Sequence, residues 1–160
     1  MQTRVLMVCL GNICRSPLAE GLLKSKVDPD SVLVDSAGTG GYHIGSGPDP
    51  RSVAVAMKNN IDITAQRCRL FSKNDFSQFD FIYAMDHSNY SDIIALADDH
   101  QQIGKVRLLL EEIDIGTREV PDPYYGGARG FEMVFDMIDK ACDAVAQRIL
   151  DFQNGEDGSL

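Results

Sequence analysis

Residues 5–17 read VLMVCLGNICRSP, and the fold follows from this stretch. Val5 to Cys9 is an unbroken apolar run of strand length, and Gly11 and Asn12 are turn residues. Ser16 followed by Pro17 marks an N-cap and the first position of a helix predicted to run to Val27, with Leu18, Ala19, Leu22 and Leu23 on its apolar sides. Three further apolar stretches, Val32 to Ser36, Phe79 to Met85 and Val106 to Leu110, read as buried strands, each followed by turn residues. Helical patterns fall between or after them, from about Pro50 to Asn59, from Asn89 to Ala97 and from Gly130 to Phe152. In the last, Phe131, Val134, Phe135, Ile138, Cys142, Val145 and Ile149 recur at helical spacing, with Cys142 a packing residue. Strands alternating with helices predict an α/β fold: a single three-layer domain with a central four-stranded parallel sheet and helices on both faces.

The chain has 160 residues, 44% of them hydrophobic and 24% charged, and a formal net charge of −9, values of a globular protein. No repeat or linker divides it, so one domain is expected over residues 1–152, with a frayed tail, QNGEDGSL, over residues 153–160. The negative charge argues against generic binding to nucleic acid or to an anionic membrane. The apolar run Val5 to Leu10 is too short for a membrane span and lacks a signal-peptide cleavage region, so a cytoplasmic protein is expected. Cys9, Cys14, Cys68 and Cys142 form no C-x-x-C pair and no disulfide framework, and His43, His87 and His100 stand at no zinc-ligand spacing from them. Neither metal nor cofactor is expected.

In parallel sheets ligands sit at the carboxyl ends of strands, which directs attention to the turn after the first strand. It reads C-x5-R: Cys9, then Leu10, Gly11, Asn12, Ile13 and Cys14, then Arg15. Five intervening residues let the chain curl around one tetrahedral anion, its backbone N–H groups and the helix N-terminus pointing inward. Gly11 and Asn12 are suited to the left-handed conformations that such curling demands. Arg15 can grip two oxygens with its planar fork, and the same positive field favours a nucleophilic thiolate at Cys9. Taken alone, a cysteine ending an apolar strand is more often a small buried hydrophobe. The strand before, the Gly-Asn within and the Ser-Pro after are the surroundings that turn the spacing into a motif.

Cys9 to Glu20, CLGNICRSPLAE, resembles the phosphate loop of the low-molecular-weight protein tyrosine phosphatases. The likeness continues in order through Asp35-Ser36-Ala37-Gly38-Thr39, Pro48-Asp49-Pro50-Arg51, Met85-Asp86 and Asp122-Pro123-Tyr124-Tyr125-Gly126, and so spans residues 3 to about 150. The resemblance implies metal-independent hydrolysis of protein phosphotyrosine and small aryl phosphates, with tyrosine-phosphorylated proteins as partners and inorganic phosphate as product. Cys9 would attack phosphorus, Arg15 and the N–H groups of residues 10–15 would hold the phosphoryl oxygens, and Asp122 would be the general acid and then the base for water.

Read by itself, Asp122 between two prolines is ordinary turn chemistry. Ser16 is placed to hydrogen-bond the sulfur of Cys9 as well as to cap the helix. Ser36 corresponds to the family's partner for a strained Asn12. Gln66, in TAQRCR, stands where many relatives carry a histidine, so the family's pH behaviour need not carry over. Tyr42 and Tyr124 correspond to aromatic walls of the substrate pocket, to which Tyr125 is assigned as well, and Tyr125 corresponds to a phosphorylation target in some relatives. Cys14 beside Cys9 suggests a reversible disulfide that protects the nucleophile.

Three rival readings are weaker. Thiol-dependent arsenate reductases of similar fold keep resolving cysteines after the third strand, whereas Cys68 precedes it, and they lack the Asp-Pro-Tyr-Tyr segment. Related arginine phosphatases carry Thr where this loop has Ile13 and lose the paired tyrosines. A binding or redox-sensing module would have no use for the acid at Asp122.

Overall fold

In a computed structural model the described residues are 2–124 and 127–155. Four strands, β1 (Thr3–Cys9), β2 (Val32–Gly38), β3 (Phe81–Ala84) and β4 (Val106–Leu108), form one parallel sheet in the order β2-β1-β3-β4. Alternation along β1 divides the core. Val5, Met7 and Cys9 face one apolar layer with Leu18, Val55, Val134 and Ile138, and Leu6 and Val8 face the other with Phe71, Phe76 and Ile93. The first layer is covered by helices α1 (Arg15–Lys24), α2 (Pro50–Lys58) and α6 (Ala128–Gln153). The second is closed by the short α3 (Asp75–Gln78) and by α4 (His87–Ile94). A further short helix, α5 (His100–Gly104), precedes β4. No helix among the described residues is long and apolar enough to cross a membrane.

The three-layer α/β fold is as expected, and the differences lie at element ends. Helix α1 begins at Arg15, two residues before Pro17, and stops at Lys24. Its N-cap is Cys14, and no side chain among the described residues caps it. The Ser16 hydroxyl, expected there, is held instead by Asn12 and Cys9. Strand β3 is shorter than the apolar run because Phe79 and Asp80 lead out of α3, and Leu109 and Leu110 turn into a 3-10 helix, Leu109–Glu112. Helix α4 starts two residues early, capped by Asp86, whose carboxylate accepts from Asn89 N at 2.8 Å. Gln153, assigned to the tail, ends α6 and donates to Thr3 Oγ1 at 3.0 Å and Ser31 O at 3.1 Å; residues 156–160 lie outside the described residues.

The order β2-β1-β3 makes β1 the switch point: the chain crosses to one side of β1 for β2 and to the other for β3. The crevice at the carboxyl end of β1 is therefore flanked by the ends of both neighbours. Helix α2 reaches the same end. Its N-cap Asp49 accepts from Arg51 N at 2.8 Å and pairs with the Arg51 guanidinium at 3.0 Å. Burial opposes the charge of Asp49, but the side-chain and backbone hydrogen bonds from Arg51 outweigh it and hold the carboxyl below its usual range. A carboxyl lowered on folding contributes stability above its unfolded pKa, about 3.9, and loses it as pH falls through the folded value. Asp49→Ala is expected to cost about 1 kcal/mol in urea unfolding at pH 7. The gap from wild type should close as the pH is taken below about 4.

Candidate active site

Between Cys9 and Arg15 the loop is held from outside by its carbonyls. The carbonyl of Cys9 accepts from Thr39 N at 2.9 Å, that of Leu10 from Gly40 N at 2.9 Å and that of Ile13 from Asp49 N at 2.8 Å. Gly11 O accepts from the Cys68 thiol at 3.0 Å, and Cys14 O from the Ser52 hydroxyl at 3.3 Å. A peptide's N–H points opposite to its C=O, so carbonyls drawn outward turn amides inward. The N–H groups of residues 10–14 donate to no acceptor among the described residues. The approach is close at Gly38, where a Cβ would lie 2.7 Å from Leu10 O and 3.2 Å from Asn12 N, so only glycine lets the loop lie against the end of β2.

Of the two residues expected in the left-handed region, Asn12 is there, with φ 56°, whereas Gly11 is not. Asn12 is buried and fully engaged: its amide donates to Ser16 Oγ at 2.8 Å and Ser36 Oγ at 3.0 Å, and its carbonyl accepts from Arg69 N at 3.0 Å. Ser36 in turn donates to Glu20 Oε1 at 2.6 Å, and Lys24 meets Glu20 Oε2 at 2.6 Å. The chain of bonds ends at the nucleophile candidate, with Ser16 Oγ 3.0 Å from Cys9 Sγ.

Arg15 is 3% exposed, and Asp86 at the end of β3 aims it. Its Nη1 donates to Asp86 Oδ2 at 2.6 Å and to Val120 O at 2.9 Å; the Nε–Nη2 edge makes no such bond among the described residues, and Nη2 lies 3.7 Å from Asp122 Oδ2. Burial opposes the guanidinium charge, but attraction to Cys9 and the hydrogen bond to Asp86 raise its pKa still further. Cys9, Arg15 and Asp122 thus line one cleft of about 410 Å³ with Leu10, Gly11, Ile13, Cys14, Tyr42, His43 and Tyr124. A larger hollow of about 680 Å³ beside residues 110–119 contains no cysteine among its walls.

This sequence matches the model of the low molecular weight phosphotyrosine protein phosphatase family over residues 4–153. The chain belongs to that family. A relative from Schizosaccharomyces pombe, a low molecular weight phosphotyrosine protein phosphatase, is 43% identical over 134 residues, 80% of this chain and 85% of its own. One of the same description from Sus scrofa is 35% identical over 150 residues, 91% and 94% of the two chains. The crystal structure of a protein tyrosine phosphatase from Entamoeba histolytica, solved with Hepes in its active site, superposes with a TM-score of 0.88 at 35% identity, covering 98% of this chain and 100% of that one. The protein is accordingly a hydrolase.

The low-molecular-weight phosphatase reading also named residues at the margin of the cleft. Tyr124 stacks beneath the Arg51 guanidinium, 5.3 Å from its ring centroid, and Asp122 Oδ1 accepts from Tyr124 N at 3.0 Å. Tyr42 is 75% exposed and folds back on Gly40, where a Cβ would sit 2.5 Å from its ring; Tyr125 lies outside the described residues. Gln66 is not brought to Asn12. Its amide donates to Pro17 O at 3.1 Å, and it is Arg69 N that donates to the asparagine carbonyl. The Cys14 thiol is pushed up to about 12 by burial and by the charges of Asp49, Cys9 and Asp122, so it stays protonated at neutral pH.

Asp86, Glu20 and His43 were missed as site residues. Asp86 looks like an ordinary helix cap in sequence, and it is one. Glu20 carried a signal: an acid four residues after Ser16, set among the apolar Leu18, Ala19, Leu22 and Leu23 of the first helix.

Asn12→Gly removes three hydrogen bonds but tolerates the left-handed backbone, whereas Asn12→Ala adds strain of roughly 1–2 kcal/mol, partly offset by glycine's greater entropy loss. The alanine variant should unfold in urea about 1 kcal/mol more easily than the glycine variant. Equal stabilities would mean that the loop does not depend on this conformation.

Proposed function

We propose that this protein hydrolyses phosphotyrosine in proteins, and small aryl phosphates, through a phosphocysteine on Cys9. The observation that carries the reading is the loop from Cys9 to Arg15, whose carbonyls are tied outward to the scaffold and whose N–H groups meet no acceptor among the described residues, with the Cys9 sulfur and the buried Arg15 in the same cleft. Cys9 attacks phosphorus in line with the departing phenol. The three equatorial oxygens, charged in the bound ester and in the transition state alike, are held by the N–H groups of residues 10–15 and by the Nε–Nη2 edge of Arg15. Asp122, across the cleft from Arg15, gives its proton to the phenolic oxygen, then takes one from water as water displaces the cysteine and releases inorganic phosphate. Ser16, 3.0 Å from the sulfur, stabilises the leaving thiolate in that second step.

An aromatic substrate suits the walls. Tyr42 and Tyr124 flank a cleft with Ile13 inside it, and a ring that holds its phosphate far from the peptide backbone can reach the floor. Cys68 precedes β3 and donates to the loop, which favours hydrolysis over an arsenate reductase with a resolving cysteine after that strand. A cytoplasmic location is consistent with the four free thiols. Cys14 is assigned as the redox partner of Cys9: peroxide takes two electrons and two protons from the two thiols, leaving a disulfide and water.

Wild type should hydrolyse an aryl phosphate, and Cys9→Ser should lower kcat by at least a thousandfold, on the order expected for loss of a nucleophile. Asp122→Ala should slow esters of poor leaving groups by on the order of a hundredfold or more, and activated nitrophenyl esters much less. Uniform slowing across leaving groups would remove Asp122 from its role. At pH 7, iodoacetate should alkylate Cys9 and leave Cys14 and the buried Cys142 unlabelled, as read by peptide mass.

A further inference from the structure

Of the five loop carbonyls tied to the scaffold, four are held by an N–H or O–H donor, and Gly11 O is held by a thiol, the weakest donor of the set. That thiol belongs to Cys68, which is 4% exposed and is itself fixed at both backbone groups. Cys68 N donates to Ser46 O at 2.8 Å, and Cys68 O accepts from Gly45 N at 2.8 Å. The next residue, Arg69, donates its N–H to Asn12 Oδ1 at 3.0 Å. Residues 68–69 therefore clamp the phosphate loop on one side and the segment carrying Tyr42 and His43 on the other.

We propose that Cys68 is a positioning residue for oxyanion binding: its thiol proton holds the Gly11 carbonyl outward and so aims the Asn12 N–H, in the same peptide plane, at the bound phosphoryl group. The inference rests on the proposed placement of the anion in this loop and adds a residue that never touches substrate. The Gly11–Asn12 peptide is the one most in need of a tether, because Asn12 is the loop residue with positive φ and Gly11 before it has no side chain to restrain it. Burial and the charge of Cys9 raise the pKa of Cys68, so the thiol keeps the proton it donates. In the absence of that donor, Gly11 O would be a buried acceptor without a partner and the peptide would be free to rotate toward one.

Because the N–H contacts ground state and transition state alike, its loss should fall on binding, raising KM with little change in kcat. The experiment compares Cys68→Ser, which keeps a donor, with Cys68→Val, which keeps bulk without one, and with Cys68→Ala as a second donor-less variant. The readouts are inhibition by inorganic phosphate and by tungstate, KM and kcat on an aryl phosphate, and urea stability. Expected are inhibition constants and KM at least threefold higher in the valine and alanine variants, kcat within twofold, and the serine variant within twofold of wild type throughout. In 1H–15N spectra the Asn12 amide should shift on adding phosphate to wild type and Cys68→Ser, and shift less in Cys68→Val. The proposal is overturned if folded Cys68→Val binds phosphate like wild type, or if the serine variant is as impaired as the valine one. A wild type that tungstate does not inhibit would overturn the parent reading instead, and Cys9→Ser, tested alongside, tells the two failures apart.

Discussion

The site depends on the direction of a few peptide planes. Cys9, Leu10, Gly11, Ile13 and Cys14 each surrender a carbonyl to the surrounding scaffold, and the amides are left to face the cleft. At roughly 1 kcal/mol net per bond, the set outweighs the roughly 1–2 kcal/mol that a left-handed asparagine costs, so the strained turn at Asn12 persists. The same bonds explain why the buried N-terminus of α1 has no side-chain cap. A capping hydroxyl would compete with an anion for these amides, and the serine that could have capped is bound to Asn12 and placed beside the sulfur.

Only a central strand can offer such anchors on both sides. The end of β2 supplies Thr39 and Gly40, which bind the first two carbonyls, and the end of β3 supplies Asp86, which binds Arg15. Helix α2 contributes Asp49 N and the Ser52 hydroxyl from a third direction. Were β1 at the sheet edge, one of these walls would be missing. The parallel order thus determines the chemistry as much as the motif does: the motif provides nucleophile and cation, and the order of strands provides the groups that orient them.

That division explains what the sequence disclosed. Cys9, Arg15 and Ser16 share one turn, and their spacing states their relation directly. The sheet was legible because β1 is apolar on both faces, with Leu6 and Val8 buried as deeply as Val5 and Met7. Asp86 and Cys68 were not legible as site residues, since each lies more than fifty positions from the group it orients and has a simpler local explanation, a cap for one and a buried thiol for the other. Ser16 misled for a related reason: before a proline a serine predicts a cap, and nothing local reveals that a residue four positions earlier claims its hydroxyl. Helices α3 and α5, of 4 and 5 residues, are too short to show a period.

A chain of net charge −9 that binds a dianion must concentrate its attraction at short range. By a count of charge alone Arg15 is a poor instrument for this, since Asp86 stands 2.6 Å away and Asp122 3.7 Å away. Counting charge misjudges it. Asp86 and Val120 O take up Nη1 alone, which fixes the plane of the guanidinium and leaves the Nε–Nη2 edge as a paired donor toward the cleft. A lysine neutralised in the same way would have no second face to present, because its donors share one nitrogen. Together with inward amides that carry no net charge and need no counter-ion, the oriented edge allows a tight oxyanion site inside an acidic protein, and repulsion from the distant surface carboxylates is screened within about a Debye length, ~10 Å.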